Sequence, residues 1–186
     1  LSRPGTYGSS GNHAERRRPR EVKLVLAAFD ELKARYGVER FAISGFSSGG
    51  HLVGALLAKR NDIVCAVAAS GVLAVRQRIQ WRGWVTDITG FSDYYDPITQ
   101  VDRIPSDANR RIFIIGDPRD INAPFVAQES YAKEVARHGH AVWLMKAEGV
   151  DRARHYLGGK ELNVAKWCLD GETAESIEKM IGYRDP

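Results

Sequence analysis

The sequence predicts an α/β domain: a mostly parallel sheet with helices on both faces. Two observations predict it. Four short apolar runs, "RFAIS", "DIVCAVAAS", "RRIFIIG" and "AVWLMKA", alternate with segments of helical period, the pattern of strands joined by right-handed helical crossovers. The second run is almost continuously apolar, as a strand covered on both faces must be. At 186 residues, 44% hydrophobic and 27% charged, the chain is long enough for one domain with a real core. No internal repeat is visible, so residues 1–186 are expected to form one domain.

Residues 1–18 are polar and Gly-rich and read as loop. Pro19 opens a segment in which Val22, Val25, Leu26, Phe29 and Leu32 recur at helical spacing, with Gly37 as its stop. "RFAIS" is a buried strand, and a helix follows from about Ser48 to Lys59. Residues 73–107 depart from the alternation: they hold Trp81, Trp84, Phe91, Tyr94 and Tyr95 with weak periodicity. They read as a partly helical, cap-like excursion over one edge of the sheet. Beyond it come a third strand, the helix "APFVAQESYAKEVARHG", the fourth strand, and two helical pieces over residues 160–182 broken near Gly171.

Net charge is +4. The one dense basic run, Arg16 to Arg20, lacks interleaved aromatics and reads as a solvated face rather than a nucleic-acid patch. No apolar run approaches the roughly 20 residues of a membrane span. Cys65 and Cys168 sit in apolar contexts far apart, which fits buried thiols in a reducing, cytoplasmic compartment better than a disulfide framework. No CxxC or HExxH spacing marks a metal site.

The strand–helix turn Gly45-Phe46-Ser47-Ser48-Gly49 fits G-x-S-x-G with Ser47 at its centre. In such an elbow a strained serine stands clear of the sheet, and small residues two before and two after it keep the legs from colliding. A tightly packed Gly-rich helix start or a phosphate-binding turn would share these glycines. The phosphate reading wants an acid at the end of the next strand, where Ala69-Ser70 stand instead. A serine nucleophile needs a base, and the base an orienting acid. Both follow in order: Asp117 and Asp120 after the third strand, then His155 after the fourth. His138 and His140 precede the last strand, at the wrong end of the sheet. His13 lies in the first loop, and His51, on the first turn of the elbow helix, is expected to pack or bond locally.

These residues resemble the C-terminal part of an α/β-hydrolase. "GFSSGGHL" is similar to the nucleophile motif of the esterase/lipase and prolyl-oligopeptidase-like branches. "GDPRDINAPF" resembles the acid loop and selects Asp120 over Asp117. "HYL" resembles the histidine loop, and "RPGTYGSSG" the turn after the fourth strand, with one residue inserted. The resemblance implies a catalytic Ser47, Asp120 and His155, with the backbone N–H of Ser48 in the oxyanion hole. It implies a second oxyanion donor and the early strands upstream of Leu1, so that the domain is N-terminally incomplete and "RFAIS" has an open edge. The implied activity is cleavage of carboxylic esters, taking a small-molecule ester or acyl substrate and needing no metal or organic cofactor. A prolyl-oligopeptidase-type peptidase and a non-catalytic, hydrolase-like binding domain are the alternatives.

Overall fold

The computed structural model describes residues 1–184. Four strands, β1 (Phe41–Phe46), β2 (Ile63–Ala69), β3 (Arg111–Gly116) and β4 (Val142–Lys146), form one sheet in the order β1-β2-β3-β4. Every pairing is parallel. The helices are α1 (Pro19–Tyr36), α2 (Ser48–Leu57), α3 (Val75–Arg82), α4 (Phe125–Arg137), α5 (Lys160–Leu169) and α6 (Ala174–Ile181). Pro19 starts α1, where its missing N–H costs nothing, and Gly37 ends it at φ 64°, a left-handed cap that glycine adopts without strain.

Alternation along the strands splits the core in two. Ala66, Ala68, Ile112 and Ile114 face Val22, Val25, Leu52, Leu56 and Val135 of α1, α2 and α4. Cys65, Val67, Ala69, Phe113 and Ile115 face Val164, Cys168, Ile177 and Ile181 of α5 and α6. The sheet is thus covered on both faces, as predicted, and β1 and β4 form its two edges among the described residues.

Residues 73–107 fold into α3, an irregular stretch and a 3-10 segment, Pro97–Arg103. They pack on α2 and α4: Gly54 of α2 sits so close to Leu73 and Pro97 that an added Cβ would meet them at 2.8 and 3.0 Å. Among the described residues no helix is long and apolar enough to cross a membrane.

Two expectations fail. Cys65 and Cys168 are not free thiols but a disulfide, with Cα atoms 6.2 Å apart. Their side chains share the core face between β2 and α5, so sequence separation misled where strand register decided. The argument from cysteine usage to a reducing compartment falls with it. Nor is Arg16–Arg20 simply a solvated face. Arg17 is 2% exposed and pairs with the buried Asp87 at 2.5 Å, while Arg18 bonds Asp93 at 2.8 Å and lies over the ring of Phe91. The run staples the excursion to the start of α1.

The disulfide bridges a sequence separation of 103 residues, so it removes much of the unfolded chain's freedom. Reduction, or Cys65→Ala with Cys168→Ala, should lower unfolding free energy by about 2–5 kcal/mol. Urea denaturation with and without reductant measures it; coincident curves would contradict it.

Candidate active site

Ser47 caps α2 with φ 55° and ψ −115°, a conformation unfavourable for a residue with a Cβ. Its surroundings hold it there. The Ser47 N–H donates to the Ala69 carbonyl at 2.8 Å, and its own carbonyl accepts from His51 N–H at 3.1 Å. The legs of the turn nearly touch. A Cβ on Gly45 would lie 2.4 Å from the Gly49 backbone, and one on Gly50 would lie 2.8 Å from Gly71 Cα. Gly49, the last position of the sequence motif, faces open space. The glycine that close packing requires after Ser47 is therefore Gly50. Ser48 begins α2, so its N–H is one of the first-turn donors without an intrahelical partner.

Asp120 follows β3. Its buried carboxylate accepts through Oδ1 from the N–H groups of Asn122 (2.7 Å) and Ala123 (3.0 Å), which fixes the side chain and points Oδ2 at His155. His155 Nδ1 lies 2.8 Å from Asp120 Oδ2, and its Nε2 lies 2.8 Å from Ser47 Oγ. The structure thus brings together Ser47, Asp120 and His155. A carboxylate only accepts, so Nδ1 carries the proton and Nε2 offers its lone pair to the serine hydroxyl.

Asp117, the other acid noted after β3, has a different part. It is fully buried and accepts from Arg119 and, at 2.8 Å, from the Gly149 N–H. Burial would raise its carboxyl, but these hydrogen bonds outweigh burial and hold it below the usual range. It ties the loop after β3 to the loop that carries His155.

That second loop is braced by residues the sequence reading passed over. Asp151 accepts from the N–H groups of His155 (2.7 Å) and Tyr156 (2.9 Å). The hydroxyl of Ser70, just past β2, donates to the His155 carbonyl at 2.7 Å. The ring of Phe46 lies 4.9 Å from the imidazole. Ser70 drew notice only as a non-acid at a strand end. An Asp four residues before a histidine in a Gly-flanked loop is the one local signal available for Asp151.

His51 packs, as one of the two expectations had it, but the bond it makes is not local. It is fully buried, and its Nε2 donates to the Tyr95 carbonyl at 2.8 Å. Nδ1 has no partner. Burial outweighs that bond and holds the imidazole neutral, its pKa pushed down to about 3.

A cavity of about 230 Å³ opens beside Ser47, Ser48 and His155, with Arg16, Arg17 and Arg78 in its wall. Of the excursion, Arg78 and Ile88 reach it, whereas Trp84 and Tyr94 pack around Val75 and Ile79. Among the described residues no group of three His, Cys, Asp or Glu side chains is placed to hold a metal ion.

Residues 12–168 match the prolyl oligopeptidase family. No curated protein sequence matches the chain significantly. Among solved structures the chain resembles an esterase of Pyrococcus furiosus, with TM-score 0.60 and 16% identity over 94% of this chain and 68% of that one. It also resembles the acylaminoacyl peptidase of Pyrococcus horikoshii (TM-score 0.67, 14% identity, 90% of this chain, 30% of that one). A puromycin hydrolase superposes with TM-score 0.61 at 18% identity, over 90% of this chain and 28% of that one. The fold is α/β-hydrolase-like, and the chain spans less than a third of the latter two proteins.

The glycine contacts predict opposite outcomes for neighbours. Gly50→Ala should cost about 1–3 kcal/mol of stability by forcing α2 from Gly71, while Gly49→Ala should be neutral or stabilising, by up to about 1 kcal/mol. Equal melting temperatures for the two variants would refute this. His51 adds a pH dependence. Unfolded, it takes a proton near pH 6.5; folded, only near pH 3, so between those values the unfolded state binds more protons. Stability should fall on acidification through this window, by up to about 1.4 kcal/mol per pH unit more steeply than in His51→Gln. Urea midpoints at stepped pH test it; parallel profiles would contradict it.

Proposed function

The chain belongs to the prolyl oligopeptidase family, and on that premise we propose that it hydrolyses carboxylic esters through Ser47, His155 and Asp120. The observation that supports this reading best is the unbroken pair of 2.8 Å contacts from Ser47 Oγ to His155 Nε2 and from His155 Nδ1 to Asp120 Oδ2. A serine hydroxyl is a poor nucleophile alone, and an imidazole lone pair at this distance is the base it requires.

In this reading the turn at Ser47 is a nucleophile elbow. Ser47 Oγ attacks the ester carbonyl as its proton passes to His155 Nε2. The resulting oxyanion meets the Ser48 N–H at the positive end of α2. The imidazolium is stabilised by Asp120 and donates its proton to the departing alkoxide, leaving an acyl group on Ser47. Water then attacks that acyl group, with His155 again as base, and the acid departs. Asp120 stays ionised throughout; it orients the ring and stabilises its cation.

Peptide bonds are a second substrate class, favoured by the family match over residues 12–168. Paired aryl esters and anilides of one acyl group separate the two: an esterase cleaves only the first. A fluorophosphonate probe should label the folded chain at Ser47 and should not label Ser47→Ala. Asp120→Asn should lower kcat by roughly 10⁴ with the fold intact, because the ring would rest in the wrong tautomer. Silence toward the probe in a folded sample would favour the non-catalytic reading.

A further inference from the structure

The hydrolytic steps above leave three arginines of the adjoining cavity without a part. Arg16, Arg17 and Arg78 line the same space as Ser47, Ser48 and His155. Their hydrogen bonds show which of them are already occupied. Arg17 is held in a left-handed backbone conformation, φ 66°. It donates from Nη2 and Nε to Asp87 at 2.5 and 3.3 Å, and from Nη1 to Ser48 Oγ at 3.1 Å. Asp87 also accepts from the Thr89 N–H and hydroxyl. Burial works against its ionisation, but the hydrogen bonds from Arg17 and Thr89 win and keep the carboxyl below its ordinary range.

Arg78 is differently placed. It is 7% exposed, and its Nε donates to the Asn122 carbonyl at 2.7 Å. Its Nη1 is buried without a hydrogen-bond partner, 3.6 Å from an Asp87 oxygen already shared with Arg17. Burial and the charge of Arg17 push the Arg78 guanidinium down to about 10, still a cation at neutral pH. Asp120, the next carboxylate, is taken up by His155, Asn122 and Ala123. Two guanidiniums therefore share one carboxylate, and Arg16 adds a third positive charge at the rim. A buried donor on a charged group is costly to leave unpaired, and Arg78 lines the cavity wall, where an apolar ligand would bring no acceptor to its guanidinium.

We propose that the substrate carries a carboxylate, on its acyl or its leaving-group side, which pairs with Arg78 and Arg16 in this cavity while the adjacent ester carbonyl lies at Ser47. Arg17 positions that wall through Asp87 and Ser48. The proposal rests on the serine-hydrolase reading and adds the substrate's charge to it.

Two matched pairs of esters test it. One pair is p-nitrophenyl hydrogen glutarate against p-nitrophenyl valerate; the other is 4-carboxyphenyl against 4-carbamoylphenyl butyrate. With the uncatalysed rate subtracted, kcat/KM should favour the anionic member of at least one pair by about tenfold or more. Arg78→Gln should reduce that ratio by about tenfold, Arg78→Lys should retain part of it, and Arg16→Gln should reduce it by about threefold. Equal rates within both pairs, or a ratio unmoved by all three variants, would overturn the proposal while leaving the hydrolase reading intact. Loss of all turnover together with loss of fluorophosphonate labelling would instead sink the hydrolase reading. The anion site is then read without turnover, by titrating Ser47→Ala with monomethyl glutarate and with dimethyl glutarate. Binding of the anion alone, weakened by Arg78→Gln, supports the site; equal binding or none refutes it.

Discussion

A parallel sheet sends the carboxyl end of every strand to the same edge, and the geometry at Ser47 depends on that constraint. Ser47 follows β1, Asp120 follows β3 and His155 follows β4. The ladder between β3 and β4 runs in register from Ile112 with Val142 to Gly116 with Lys146, so the two loops leave the sheet side by side. A slip of one residue in a strand would turn its side chains to the opposite face and carry one loop away from the others. Short hydrogen bonds lock this arrangement: Asp117 to the Gly149 N–H, and the Ser70 hydroxyl to the His155 carbonyl.

The backbone strain at Ser47 sits where the sheet can bear it. Ser47 stands at positive φ between a strand that pairs on one side and a helix whose start abuts Gly45 and Gly71. The close approach of these backbones leaves the turn little room to relax, so the strained state persists because its surroundings over-determine it. Ser70 and Arg154, also at positive φ, lie in the segments that support or carry the histidine. Three of the five non-glycine residues at positive φ among the described residues thus lie at or beside Ser47, Asp120 and His155; the other two, Tyr7 and Arg17, belong to the first loop.

Electrostatics on the cavity side has another origin. A run of arginines that looks like surface decoration is divided by the fold: Arg20 stays in solvent, Arg18 rests on Phe91, and Arg17 goes inside to meet Asp87. The partner acid lies 70 residues away, in a stretch of weak periodicity. Burying that pair ties the first loop to the excursion and leaves Arg78 competing for a carboxylate already engaged.

The strands, most helix ends, and the order serine, acid, histidine were legible in the sequence, because periodicity, caps and turn glycines are local properties that the chain carries wherever it folds. Gly37 as a helix stop and Ser47 as the centre of a tight turn needed no tertiary information. Contacts between distant segments were not legible. The Cys65–Cys168 bond, the burial of Arg17, the reach of His51 to Tyr95, and the need for Gly50 rather than Gly49 all depend on which faces meet once the sheet is assembled. Pattern in the sequence determines which elements form and where reactive residues fall relative to strand ends. Only packing decides which groups lose water and which charges must share a partner, because desolvation depends on neighbours brought together in space.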